Sequence, residues 1–336
     1  MKRPIPWIVF LVCLVAALAI SAAAAARPDE SCPPAKCAGE TTSDTRRLEV
    51  PSEHYGRLAR LDAKPRAGAG ALDRRLFDLG AMNPGYFKIL GRAPVYLDNS
   101  PIEFSLPEFP ANSSAQTRAE LDYLLELQAR ARSPEAVARS QMLAGVFYRV
   151  STQPGDEDYA RMRRNLFFTG SELGEWFGPE TLPKTADLLA RVQSDATYYI
   201  WAFKYRFNRA RPYELEPRIE RLETPNFPAY PSAHSANSWT AAYVFQELMP
   251  DDRDVFARGA AELAYSREIL GVHFPSDSES GRALARQIVD RLLASSEFRK
   301  DLAEARNEIA AAKRARKSAP ASPAANSQGT RKEECF

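Results

Sequence analysis

The chain has 336 residues, 45% of them hydrophobic and 26% charged, which suits a folded protein with a sizeable core. Its 45 Lys and Arg against 43 Asp and Glu leave a net charge of +2. That balance removes any global electrostatic case for nucleic acid or an acidic partner, so anion binding has to be local.

At the N-terminus, Lys2 and Arg3 precede IPWIVFLVCLVAALAISAAAAA, an apolar run that ends in small residues. This pattern predicts a signal peptide over residues 1–26, cleaved near Ala26–Arg27, and hence a periplasmic or secreted protein. The run is also just long enough to cross a bilayer, so an uncleaved anchor is the alternative. Val12 ahead of Cys13 is too large for a lipobox. Cleavage leaves Cys32, Cys37 and Cys335, an odd number in a compartment that permits disulfides. A Cys32–Cys37 loop and a staple to the tail both stay open; with no histidine beside the pair, a zinc site is not expected.

Residues 27–94 read as a partly irregular extension, rich in turn formers (RPDESCPPAKCAGETTSDTRR) and linker-like at KPRAGAGALDRR. His54, in PSEHYGRL, reads as a surface or packing residue. From about residue 115 the pattern turns helical. SAQTRAELDYLLELQARAR sets Leu121, Leu124, Leu125 and Leu127 in a stripe behind a Ser/Asn-rich cap, and SPEAVARSQMLAGVFYRV opens on Ser-Pro-Glu. YARMRRNLFFTGSELGEWFG, PKTADLLARVQSDATYYIWAFKYRFNR, SAHSANSWTAAYVFQELM, DRDVFARGAAELAYSREILG, SDSESGRALARQIVDRLLAS and EFRKDLAEARNEIAAAKRAR continue it. Strand-like alternation is nearly absent. The expectation is an all-α domain over residues 95–312, with seven to nine helices in a bundle. A disordered, basic, Pro/Ala-rich tail is expected over residues 313–336.

Three stretches concentrate side chains that grip oxyanions. In KYRFNRARP, Lys204 and Arg211 stand seven apart, about two helical turns, so both are expected on one face of a helix that Pro212 ends. A point charge beside a planar fork suits a phosphate; a solvated basic face shared with Arg206 and Arg209 is the plain alternative. In NFPAYPSAHSANSW, Ser232 is expected to cap a helix and the amides of residues 232–235 to face an anion, with His234 in the first turn placed to hand over a proton. In SREILGVHFPSD, Arg267 precedes His273, with Gly271 for a bend between them. Asp277 follows four residues on, able to accept from one ring nitrogen and leave the other to attack. An N-cap role is the alternative for Asp277.

Together the blocks resemble the signature of the type 2 phosphatidic acid phosphatase superfamily, K-x6-R-P, P-S-G-H and S-R-x5-H-x3-D. Here they read Lys204-x6-Arg211-Pro212, Pro231-Ser232-Ala233-His234 and Ser266-Arg267-x5-His273-x3-Asp277. Over about residues 95–312 the chain is most similar to the class A bacterial non-specific acid phosphatases, with PEFPANSSAQTRAELD and SSEFRKDLAEARNEI as flanks. Ala233 stands where that family has glycine; it keeps the backbone amide and loses glycine's conformational freedom.

The resemblance implies an exported, metal-independent acid phosphatase acting on small-molecule phosphomonoesters without a cofactor. It assigns His273 as the nucleophile that becomes a phosphohistidine, Asp277 as the group that fixes its tautomer, and His234 as general acid and then base. Lys204, Arg211, Ser232, Ala233 and Arg267 would hold the phosphate. It implies no nucleic-acid partner and allows a homo-oligomer. Vanadium-dependent haloperoxidases share the pattern, with the second histidine on vanadium, and so do lipid or pyrophosphate phosphatases. Those and a non-catalytic phosphate-binding protein are the alternatives; the acid-phosphatase-like flanks favour the first reading.

Overall fold

The computed structural model describes residues 47–51, 54–82, 86, 94–97, 104–147 and 158–318. The expected signal peptide, all four cysteines and residues 319–336 lie outside them. The described residues belong to one compact unit that begins at Asp44. Among them there is no strand, only an isolated bridge between Leu76 and Arg209, so the all-α expectation holds.

The helices are α1 His54–Leu58, α2 Gly70–Asp73, α3 Ala115–Arg130, α4 Pro134–Ala144, α5 Tyr159–Asn165, α6 Pro183–Phe207, α7 Pro212–Leu215, α8 Ala233–Leu248, α9 Arg253–Ile269, α10 Pro275–Ala294 and α11 Ser296–Ser318. Their starts follow sequence chemistry. The hydroxyls of Ser114 and Ser133 accept from the amides of Thr117 and Ala136, and Pro134 and Pro183 occupy first-turn positions where no N–H is needed. α1 and α2 fall within the partly irregular extension. One expectation needs amending. The last helix runs to Ser318, past the boundary set at 312, because its Ala, Lys and Arg are strong helix formers and Arg316 and Lys317 complement the helix C-terminus.

α8 sits at the centre, packed against α6, α9 and α10. Its Ala236, Ala241, Val244 and Phe245 are fully buried, as expected of a helix apolar on most of its faces. Around it, Leu189, Val192 and Ile200 of α6, Phe256 and Leu263 of α9, and Leu284, Ile288 and Leu292 of α10 close the core. Gly281 lets α10 approach closely: a Cβ there would stand 2.7 Å from the Ser232 carbonyl oxygen and 2.9 Å from the Ala236 nitrogen. The first turns of α8 and α10 therefore lie side by side, joined by a bond from the Ser232 amide to the Asp277 carbonyl at 3.0 Å.

Candidate active site

The first block does not form one helical face. α6 ends at Phe207, and Asn208 adopts a left-handed conformation (φ 52°) that asparagine tolerates. Arg211 is the extended residue ahead of α7, and Pro212 opens that helix rather than ending one. What joins Lys204 and Arg211 is the segment 227–231. Lys204 Nζ donates to the carbonyls of Pro228 (2.7 Å), Ala229 (3.2 Å) and Pro231 (2.7 Å). Arg211 donates from Nε and Nη2 to Phe227 O at 3.1 and 2.9 Å, and from Nη1 to Val272 O at 2.7 Å. Prolines bring carbonyls without matching N–H groups, so this stretch is rich in acceptors for two cations. Both cations are fully buried. Burial, with Arg211 nearby, takes the Lys204 ammonium well below its ordinary range, and burial lowers Arg211 to about 10.

The third block builds the nucleophile geometry. Gly271 turns the chain at φ 71°, where a Cβ would stand 2.8 Å from the Glu220 carbonyl oxygen. His273 then precedes α10, with Asp277 in that helix's first turn. Nδ1 of His273 lies 3.0 Å from Asp277 Oδ2 and Nε2 lies 3.0 Å from Arg211 Nη1. A guanidinium can only donate, so Nε2 is the acceptor and Nδ1 carries the proton, given to the carboxylate. Burial and Arg211 hold His273 well below the usual histidine range, in its neutral form. Burial pushes the Asp277 carboxyl up, but Arg209, His273 and the Phe274 amide outweigh it and hold it at about 2. Asp277 also accepts from Phe274 N at 3.0 Å, as the third residue of α10 rather than as the N-cap expected, because the helix begins at Pro275.

In the second block, Ser232 is the N-cap of α8 and accepts from Ser235 N at 3.4 Å. Its own amide is not open to an anion, because it is bonded to Asp277 O. Ala233 and His234 begin the helix, where amides have no intrahelical acceptor. His234 Nε2 lies 3.1 Å from Ala144 O, so it donates to that carbonyl and leaves Nδ1 as the other site. Burial, then Arg267, Lys204 and Arg211, lower its pKa well below the usual range. Three cations from two blocks thus act on a histidine of another. Arg267 is 1% exposed and its Nη2 pairs with Glu223, while its Nε and Nη1 are buried without a partner among the described residues. Buried unpaired donors are costly, and an oxyanion would satisfy them.

Three residues that matter here are not in the predicted set. Arg209, read as part of a solvated basic face, is fully buried and donates to Asp277 Oδ1 at 2.7 Å. Glu120 and Ser276, also buried, stand behind it. The signal available for Arg209 was its place two residues before Arg211. Glu120 offered only a charged residue beside an apolar stripe. His54 begins α1. Among the described residues no group of three or more His, Cys, Asp or Glu is arranged to hold a metal ion.

Residues 192–294 match the model of the PAP2 superfamily. That span holds all three motif blocks, and the superfamily likeness read from the sequence holds over it. Among curated proteins, the chain is 37% identical over 86 residues to a non-specific acid phosphatase of Providencia stuartii, covering 26% of this chain and 35% of that protein. It is 31% identical over 144 residues to a non-specific acid phosphatase of Salmonella typhimurium, covering 41% and 57%. The chain thus spans between about a third and three fifths of the length of these relatives. Among solved structures, an apo bacterial vanadium-dependent chloroperoxidase aligns at 13% identity and a TM-score of 0.46, covering 63% of this chain and 55% of that one.

Proposed function

We propose that this protein is an exported acid phosphatase that hydrolyses small phosphomonoesters through a phosphohistidine on His273. The observation that carries the reading is the state of His273: buried, neutral, with Nδ1–H given to Asp277 and the Nε2 lone pair facing the cationic side of the site. Arg211 Nη1 donates to that lone pair. A bound phosphate offers Arg211 a stronger acceptor and frees Nε2.

In the first step Nε2 attacks phosphorus in line and the P–O(ester) bond breaks with its electron pair on the leaving oxygen. That oxygen takes a proton from His234, from Nδ1 while Nε2–H stays on Ala144 O. The imidazolium ring of His273 is stabilised by Asp277. In the second step water attacks phosphorus, His234 recovers a proton from it, the N–P bond breaks with its pair returning to Nε2, and phosphate leaves. Arg267, through its unpaired donors, and Arg211 balance the charge on the equatorial oxygens. Lys204 sits behind them, its protons on backbone carbonyls, as a fixed positive charge. His234 must be protonated although burial and cations disfavour this; a phosphate dianion in the site restores the proton's counter-charge. Activity is therefore expected to fall on both sides of a mildly acidic optimum. Export is part of the same proposal. No described helix is long and apolar enough to cross a membrane.

The test is hydrolysis of a chromogenic phosphomonoester from pH 4 to 8 with excess EDTA, with and without vanadate as a phosphate mimic. Activity that survives EDTA and is blocked by vanadate is expected. No hydrolysis, or peroxide-driven halide oxidation once vanadate is bound, overturns the reading.

A further inference from the structure

Behind His273 lies a layer of buried polar groups that the proposed chemistry does not use. Arg209 Nη1 donates to Asp277 Oδ1 (2.7 Å) and to Ser276 Oγ (2.8 Å). Ser276 in turn donates from Oγ to Glu120 Oε2 (2.8 Å) and from its amide to Oε1 (3.2 Å). Arg209 Nη2 lies 3.5 Å from the same Glu120 Oε2. The guanidinium carbon sits 3.8 Å from the centre of the Phe274 ring, with Phe109 5.2 Å away. The backbone around it is tied on two sides. Arg209 O accepts from Ala229 N at 2.9 Å, and Asn208 exchanges bonds with Phe77, O from Phe77 N and Nδ2 to Phe77 O, both at 3.0 Å.

We propose that Arg209, backed by Ser276 and Glu120, is the positioning residue that aims Asp277 and through it fixes the ring plane and tautomer of His273. It contacts none of the reacting atoms. The reasoning rests on the geometry of one carboxylate. Oδ2 of Asp277 serves His273 and the Phe274 amide, and the terminal torsion of an aspartate is broad. A carboxylate tied at one oxygen can rock; tied at both, it cannot. Arg209 supplies the second tie, and Glu120 with Ser276 stops the guanidinium from following Asp277. Only a planar fork can stack on Phe274 while bonding at its edge, so lysine does not substitute. The extension contributes too, since Phe77 holds the link between α6 and Arg209. This account depends on His273 being the nucleophile, and the experiment separates the two ideas.

The experiment uses the full chain labelled with 15N-histidine. With three histidines in the sequence, a His273→Asn sample assigns the His273 signals. In the parent protein His273 is expected as a single Nδ1–H tautomer. Arg209→Lys should lower kcat on a phosphomonoester roughly 10- to 100-fold, by analogy with the loss of an outer partner of a metal-ligating histidine, with KM changed less than about threefold. Its His273 nitrogen shifts should move toward a mixture of tautomers. Ser276→Ala should move both readouts the same way by less, and it decides the matter if Arg209→Lys does not fold. A folded variant with parental kcat and an unchanged His273 spectrum overturns the proposal. If the parent chain hydrolyses nothing, yet Arg209→Lys scrambles the His273 tautomer, the positioning role stands and the phosphatase reading falls.

Discussion

Asp277→Asn isolates the step from structure to chemistry. The carboxylate takes three hydrogen bonds, from His273 Nδ1, Phe274 N and Arg209 Nη1, and it is fully buried. Asparagine keeps the shape but offers one acceptor oxygen and an NH2 that must face a donor. If the NH2 faces His273, the ring has to move its proton to Nε2, the atom that should attack and that Arg211 also points a donor toward. A wrong tautomer at a comparable site costs on the order of 10⁴ in rate, and a loss of about 10³ or more in kcat is expected here. Stability gives a second, independent magnitude. Asp277 is held at about 2, below its ordinary 3.8. A depressed carboxylate stabilises the fold above its ordinary value and loses that contribution as pH falls toward 2. The difference corresponds to about 2 kcal/mol at neutral pH. Urea unfolding of parent and variant should show that deficit at pH 7 and a shrinking gap toward pH 2. A variant that keeps kcat within tenfold, or a deficit independent of pH, would refute the reasoning.

Arg267→Ala should lower kcat and weaken phosphate binding together, by roughly 2–4 kcal/mol in the transition state, in steady-state kinetics with inorganic phosphate as inhibitor. It should change unfolding free energy by less than about 1 kcal/mol, because it removes two buried donors that lack partners along with one ion pair; a large stability loss with intact kinetics would make Arg267 structural. Burial raises Glu120 to about 7 from an ordinary 4.5, so the parent protein loses stability as pH rises between those values. Glu120→Gln lacks that loss and should gain on the parent by on the order of 3 kcal/mol between pH 5 and 8, read as the difference in unfolding free energy; a constant difference would contradict it.

Much of the candidate site's clustering was legible because it is built from residue types at fixed spacings. Lys204, Arg211, His234, Arg267, His273 and Asp277 form one electrostatic cluster drawn from three segments, each linked to others of the set. The helical stretches were legible through periodicity and through the caps at Ser114, Ser133 and Ser232. What escaped depends on long-range partners. A helix through Lys204 and Arg211 fits the spacing; the break combines the left-handed Asn208 with the contacts of Asn208 and Arg209 to Phe77 and Ala229. Arg209 could be read as part of a solvated basic face because local sequence does not reveal its buried pairing with Glu120, 89 residues away. The C-terminal boundary was misplaced because Pro/Ala/Ser composition was extended back over residues of high helix propensity.

The central claim is that His273 Nε2 takes the phosphoryl group. The most direct measurement is rapid-quench labelling with a 32P-phosphomonoester, stopped in alkali to preserve phosphohistidine, followed by peptide mass spectrometry. The account predicts one label per active site on the peptide containing His273, linked through Nε2 and absent from His273→Ala. Label on another residue, or turnover with no labelled protein at any time point, would contradict it.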